Sequence, residues 1–328
     1  MPTDRPRPPS NRPPGSGPRK NRKPQPRGTP RGPRVVHKQA KPGEPQRIAK
    51  ILARAGVGSR RDVERMIADG RIAIHGEVLD TPATLVTDLT GITVDGTRVA
   101  GIEPPRLFLF HKPSGVLTAA RDPGGRPTIY DRLPPKGWDP VNTLPRLMPV
   151  GRLDLNTEGL LLLTNDGELK RHLELPANGV ERSYRARAFG TVSQEQLEGL
   201  MMGITIDGVN YGRIDANLER RTGRNQWVEM TLTEGKNREV RKVLEHFELK
   251  VSRLIRTRYG PFTLGDAPPG ALTEVPPHDL ERFIGALKRH PSPSGEGPGV
   301  GAMRQHRLRQ RSDERDSPTP TPPLKGRG

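Results

Sequence analysis

The chain has 328 residues, with 55 Lys and Arg against 37 Asp and Glu, eight His and no Cys, a length that suits about two domains. The absence of cysteine excludes disulfides, thiolate nucleophiles and Cys-ligated zinc, and the histidines form no His-x-x-x-His or Glu-x-x-His pairing, so neither a metal nor a cofactor is expected. No apolar run of about 18 residues exists to span a membrane, and no apolar stretch follows the basic N-terminus as a secretory leader requires, so the expected compartment is the cytoplasm.

The charge is unevenly placed. Of the net +18, residues 1–46 carry +10 and residues 288–328 carry +5, leaving +3 for residues 47–287. These two ends also hold 20 of the 37 prolines. Few apolar residues and many like charges cannot offset the entropy of ordering, so both are expected to be disordered arms. Basic arms of this kind suit a polyanion, most commonly a nucleic acid.

Residues 47–104 read as a first small domain. Ile48, Ile51, Leu52 and Ala55 share one side of a helix, Arg47, Lys50 and Arg54 the other, and Gly56 stops it. Ser59-Arg60-Arg61-Asp62 has the form of a capping box opening a second helix with Val63, Met66 and Ile67 as its apolar stripe. Arg71–His75 alternates as a strand, Gly76-Glu77 turns the chain, and short strands fall near 92–94 and 97–99 around Asp95-Gly96. Arg47, Lys50, Arg54, Arg60, Arg61 and Arg71 therefore suggest one basic face, by placement rather than total, since eight bases meet seven acids between 47 and 100.

Residues 105–287 read as a second domain. Arg106–His111 is a strand, and Lys112-Pro113-Ser114-Gly115 a turn after it. The Pro- and Gly-rich stretch 119–146 is a long surface loop, of the kind that is often functional when ordered. Asp154 follows in Gly151-Arg152-Leu153-Asp154, at the lip of the buried run Leu160–Thr164. A carboxylate there is either held by a partner or used. Helices fit 168–175 and 193–201; an alternating strand with Tyr184 among bases fits 182–188; further strand pieces fill 203–232. Glu234–Leu244 turns into an amphipathic helix, and Val251–Tyr259 is a strand with three arginines. This mixture predicts an α+β domain on a largely antiparallel sheet.

The run Leu52-Ala-Arg-Ala-Gly-Val-Gly-Ser-Arg-Arg through His75-Gly76 resembles the small RNA-binding domain first seen in ribosomal protein S4. The resemblance implies phosphate contacts by Arg60 and Arg61 near a helix N-terminus, where free N–H groups suit an anion. His75 departs from it, standing where an Asn usually precedes the glycine. Gly151–Asp154, Arg182-Ser-Tyr184-Arg-Ala and Glu234-Gly-Lys-Asn-Arg-Glu-Val-Arg241-Lys, in that order, resemble the bacterial pseudouridine synthases that act on ribosomal RNA. The implied architecture is an S4-like domain followed by a mainly antiparallel synthase domain. The implied reaction breaks the N-glycosidic bond of a uridine, rotates the uracil and rebuilds the link through carbon five, with no redox cofactor, metal or thiol.

By the same resemblance Asp154 is the carboxylate nucleophile, Tyr184 the platform for a flipped-out base, and Arg241 the cation that keeps Asp154 charged. Arg152 fills the gap left by the base or grips its phosphate. Arg238 and Lys242 are expected on the helix surface or at phosphate, and Lys112 and the arginines of 253–258 are expected at phosphate. The Asn237–Arg241 run and Ser252-Arg-Leu-Ile-Arg-Thr-Arg-Tyr-Gly look most like the branch that modifies large-subunit 23S rRNA. The partner is then ribosomal RNA, and a monomer is the default. The rival readings are a non-catalytic RNA-binding or ribosome-assembly factor, and the same chemistry on 16S rRNA or tRNA.

Overall fold

The structure is a computed structural model that describes residues 44–134 and 144–289. The two arms expected to be disordered fall almost wholly outside the described residues, as does 135–143 of the long loop. The S4-like part opens with β1 (Gln46–Arg47), α1 (Ile48–Arg54) and α2 (Arg60–Ala68). Then come β2 (Ile72–Ile74), β3 (Glu77–Val78), β4 (Leu85–Val86), β5 (Ile92–Val94) and β6 (Thr97–Arg98). β1 pairs with β4, and the rest form an antiparallel sheet ordered β3-β2-β5-β6. The expected capping box is present: Ser59 Oγ accepts the Asp62 N–H at 3.1 Å and Asp62 Oδ2 accepts the Ser59 N–H at 2.9 Å. Both hairpin turns place a polar residue and then glycine at positive φ, His75-Gly76 at 51° and 91° and Asp95-Gly96 at 50° and 76°, the geometry that splices two twisted strands tightly. His75 thus takes the left-handed conformation that Asn would adopt more easily.

The second part continues with β7 (Leu107–Lys112), a 3-10 turn at Ile129–Arg132, β8 (Met148–Pro149), β9 (Thr157–Thr164), α3 (Gly167–Glu174), a 3-10 turn at Pro176–Asn178 and β10 (Arg182–Phe189). α4 (Gln194–Glu198) runs into a 3-10 turn at Gly199–Met202, followed by β11 (Ile204–Ile206), β12 (Val209–Tyr211), β13 (Ile214–Thr222) and β14 (Asn225–Leu232). α5 (Glu239–His246), β15 (Lys250–Tyr259), β16 (Phe262–Thr263), β17 (Leu272–Glu274) and α6 (Pro277–Arg289) complete it. The main sheet runs β13-β14-β10-β15-β9-β7-β17, with β8 on β9 and β16 on β15. Every pairing in it is antiparallel except β15 with β9, a parallel seam that joins Leu254–Arg256 to Thr157–Gly159.

The burial pattern explains the leucine run. Leu160 and Leu162 pack with Leu107, Leu169, Leu173, Leu280 and Phe283, whereas Leu161 and Leu163 pack with Phe108, Phe110, Val116 and Ile129. β9 is covered on both faces, so alternation vanishes and a continuous apolar string remains. Each such leucine contributes roughly 1.5–3 kcal/mol of burial. β14, covered on one face only, alternates strictly, with Gln226, Val228, Met230 and Leu232 inward. The sequence reading is corrected at both margins: β1 begins at Gln46, inside the segment assigned to the N-terminal arm, and α6 runs to Arg289, past the expected boundary at 287. β17 and α6, for which no element was expected, close one edge of the sheet and cover one of its cores.

Candidate active site

Asp154 sits in the loop that leads into β9 and opens into a cleft of about 970 Å³ lined by Tyr130, Arg152, Tyr184, Arg238, Arg241 and Arg256, among others. Its side chain is 39% exposed, so the carboxylate stands at the cleft wall rather than inside the core. The loop is fastened from several sides. Thr118 Oγ1 donates to Leu153 O at 2.8 Å and accepts the Leu153 N–H at 3.2 Å. Arg241 Nη2 donates to Asn156 O at 3.0 Å, and its Nη1 to Val251 O at 3.2 Å.

Arg238, which caps α5, and Arg241 within it stand differently toward Asp154. Among the described residues Arg238 is the cation within ion-pair range of Asp154, with Nη1 3.9 Å from Oδ2. Its backbone is left-handed, φ 51° and ψ 32°, at the residue that caps α5. Arg241 is 92% buried and braces the backbone instead, one turn of helix further on. Burial, and then Arg238, push its guanidinium below the ordinary value, while Asp154 and Glu245 oppose this electrostatically. Beside them Glu239 is buried with its carboxyl pushed up by desolvation, and Oε2 accepts the Lys236 N–H at 2.8 Å.

Lys112 is not an exposed phosphate contact. It ends β7 fully buried, and its Nζ donates to the carbonyls of Pro113 at 2.9 Å, Leu155 at 3.3 Å and Thr157 at 2.8 Å. Burial lowers its pKa to about 8, with Asp154 and Glu158 pulling the other way. Three N–H donors meet three carbonyls, two of which, those of Leu155 and Thr157, lie just after Asp154 in the chain. Arg256 is likewise 98% buried, and its Nε donates to Leu160 O at 2.7 Å. Arg253 and Arg258 pair with Glu158 at 2.6 Å and Glu181 at 2.9 Å. Each arginine of 253–258 thus has a partner within the fold, while Arg253 and Arg258 stay 52% and 37% exposed.

Tyr184 lies on the cleft face of β10, directly across from Arg256 on β15, where the register shifts by a bulge. The Arg256 guanidinium stands 6.0 Å from its ring centroid and 5.1 Å from that of Tyr259. One row of the sheet thus carries Lys112, Gly159, Arg256 and Tyr184 in sequence. Gly159 has φ 104°, and a Cβ there would lie 2.3 Å from Arg256 O. Arg152 is exposed at the cleft and has no ion-pair partner among the described residues.

The six cations of the first domain divide into two sets. Arg47, Arg60 and Arg61 are exposed, and none has an ion-pair partner among the described residues. Arg54 and Lys50 pair instead with acids of the second domain, Arg54 Nε with Asp166 at 3.4 Å and Lys50 Nζ with Glu168 at 3.0 Å. Arg71 pairs with Asp95 through two bonds of 2.9 and 2.6 Å. At the α2 N-terminus, Asp62 is itself the resident anion, its pKa lowered to about 2 by the bonds from Ser59 and Arg65. Among the described residues no group of three or more His, Asp or Glu could hold a metal, and no helix is long and apolar enough to cross a membrane.

The chain matches known sequence families. A family model described as RNA pseudouridylate synthase matches residues 106–246, and the S4 domain model matches residues 46–88. An uncharacterized RNA pseudouridine synthase of Rickettsia felis is 42% identical over 237 residues, covering 72% of this chain and 100% of its own. The ribosomal large subunit pseudouridine synthase B of Yersinia pestis is 41% identical over 236 residues, 70% of this chain and 72% of that protein. A crystal structure described as pseudouridylate synthase superposes with a TM-score of 0.50 at 24% identity, over 72% of this chain and 99% of that one, which supports the fold. The architecture is therefore an S4 domain followed by a synthase fold on a mainly antiparallel sheet. The chain belongs to the RNA pseudouridine synthase family, isomerases that act on RNA.

Proposed function

We propose that the protein isomerises one uridine of 23S ribosomal RNA to pseudouridine, with Asp154 as nucleophile toward a flipped-out nucleotide. The observation that carries this reading is the half-exposed Asp154 carboxylate, which faces a cleft shared with Tyr184, Arg238 and Arg241. In the reaction the C1′–N1 bond breaks, the uracil turns, a C1′–C5 bond forms, C5 loses its proton and N1 gains one. Asp154 serves as the ionised carboxylate, with Arg238 as the near cation and Arg241 as the brace of its loop. Tyr184 offers a face on which the extruded base stacks. Exposed and unpaired, Arg152 serves at the mouth, toward the phosphate or the vacated stack. Arg47, Arg60 and Arg61 serve the RNA backbone. The large-subunit target rests on the Asn237–Arg241 run and on the name of the Yersinia pestis relative.

The test is a map of pseudouridine in 23S, 16S and transfer RNA from cells with and without the gene, alongside the Asp154→Asn protein in vitro. Loss of one 23S position, and a silent Asn variant that still binds RNA, is expected. Pseudouridine formation by the Asn variant would remove Asp154 from the mechanism. A missing site in 16S or transfer RNA would move the substrate.

A further inference from the structure

Helix α3 carries no residue that the proposed reaction needs, yet it touches both the S4 domain and the approach to Asp154. At its start, Asp166 Oδ1 caps the helix by accepting the N–H groups of Glu168 and Leu169 at 2.9 and 2.8 Å. The other oxygen of the same carboxylate takes Arg54 of the S4 domain, in a pair whose side chains are only 13% and 7% exposed. Lys50 reaches Glu168, two residues later, at 3.0 Å.

Toward its end, Glu174 Oε1 accepts the backbone N–H of Gly151 at 2.7 Å and the Lys170 ammonium at 2.5 Å. Lys170 also donates to Pro149 O at 2.5 Å. This pair clamps the backbone three to five residues before Asp154, at a glycine held at φ 66°, and both side chains line the cleft. The last turn is fixed to the sheet, because Leu173 O accepts from Tyr259 Oη at 2.8 Å and from Arg182 Nη2 at 3.3 Å. Leu169 and Leu173 are buried in the core below.

We propose that α3 is the ruler that sets the S4 domain against Asp154, with Arg54 as the docking residue at one end and Glu174 as the positioning residue at the other. Eight helical residues span about 12 Å, a length that does not stretch. RNA held on the S4 domain is thereby presented at a set distance from the nucleophile. Arg54 belongs to this dock rather than to the RNA surface, since a side chain only 13% exposed and paired with a helix cap is poorly placed to reach a phosphate. The proposal rests on the pseudouridine synthase reading of the cleft.

The test is single-turnover pseudouridine formation at saturating rRNA by the full chain, with RNA affinity measured separately. Glu174→Ala is expected to slow the step about 10-fold with RNA affinity within about 2-fold of wild type, and Glu174→Gln, which keeps the acceptor for Gly151, to recover most of the rate. Arg54→Ala is expected to slow the same step at saturating RNA. The double variant should be no slower than about the slower single, since both act on one element. Should Glu174→Ala fail to fold, Lys170→Met reads the same clamp from the donor side. An unchanged rate in the clamp variants, an Arg54→Ala loss confined to RNA affinity, or effects of Arg54 and Glu174 that multiply would overturn the ruler. A wild-type protein that makes no pseudouridine would instead overturn the underlying reading, and the two failures are distinct.

Discussion

Arg238 Nη1 stands 3.9 Å from Asp154 Oδ2, whereas both Nη groups of Arg241 are engaged by the carbonyls of Asn156 and Val251. Charge and brace are thus divided between two arginines of one helix turn. Arg238→Lys should keep most of the activity, because a point charge suffices where no bidentate contact exists, while Arg238→Ala should lower the single-turnover rate about 10-fold or more. Arg241→Lys cannot span two carbonyls, and Arg241→Ala should also cost about 1–3 kcal/mol of stability. Urea denaturation beside the rate assay separates the two. Equal sensitivity of both sites to Lys would contradict this division.

Lys112 gives a pH signature. Burial holds its folded pKa at about 8, against 10.5 for an ordinary lysine. Between those values the unfolded chain binds more protons than the folded one, so this residue makes stability rise with pH across that window, by at most about 1.4 kcal/mol per unit. As pH falls through about 8 the contribution is lost. Urea midpoints of wild type, measured from pH 7.5 to 10 relative to Lys112→Met, should therefore climb. In the same window neutral Lys112 loses one of the donors that hold Leu155 and Thr157, so the catalytic rate should fall while stability rises. A flat difference curve would refute the linkage.

Gly159→Ala should be among the most damaging small substitutions outside the charged residues. The new methyl would meet the Arg256 carbonyl at 2.3 Å from a backbone at φ 104°, and neither strand can retreat without breaking the seam. We expect a loss of about 2–3 kcal/mol, read by urea denaturation, with activity lost because Arg256 and Tyr184 share that row. Gly115→Ala, at φ 77° with nothing within 4 Å of its Cβ, provides a control for the cost of positive φ alone.

Removing residues 1–43 and 290–328 takes away 19 bases and five acids. A core of 44–289 should keep its unfolding midpoint but bind rRNA more weakly, with a shallower dependence of log affinity on log salt. An identical salt slope would exclude the arms as RNA contacts.

Most of the framework was legible because local chemistry dictated it. The Ser59–Asp62 capping box, the polar-Gly turns at 75–76 and 95–96, and the Leu160–Leu163 run each determine their own backbone. The identities of Asp154 and Tyr184 as candidates came from motifs rather than from geometry. What the sequence did not disclose was partnership at a distance. Arg54 and Lys50 lie on a polar helix face whether they meet RNA or Asp166 and Glu168, and nothing in their spacing distinguishes the two. Lys112 reads as a turn-proximal base, since the three carbonyls that enclose it come from residues up to 45 positions away. Arg238 was expected on the helix surface or at phosphate, and it is exposed; what the spacing did not show is its left-handed backbone and its nearness to Asp154. The α3 clamp was hidden for the same reason, an i,i+4 Lys-Glu pair being the commonest of solvent-side decorations.

The parallel seam at Thr157–Gly159 has one more implication. It spans three residue pairs, whereas β10 and β14 share eight. On one side of it lie β9, β7 and the loop that carries Asp154. On the other lie β10, β15 and α5, which carry Tyr184, Arg238 and Arg241. The proposed machinery is therefore distributed across a ladder of only three residue pairs. Any shear of one half against the other changes the gap between carboxylate and guanidinium before it disturbs either core. Amide exchange at Glu158 and Arg256 would then report on the width of the candidate cleft.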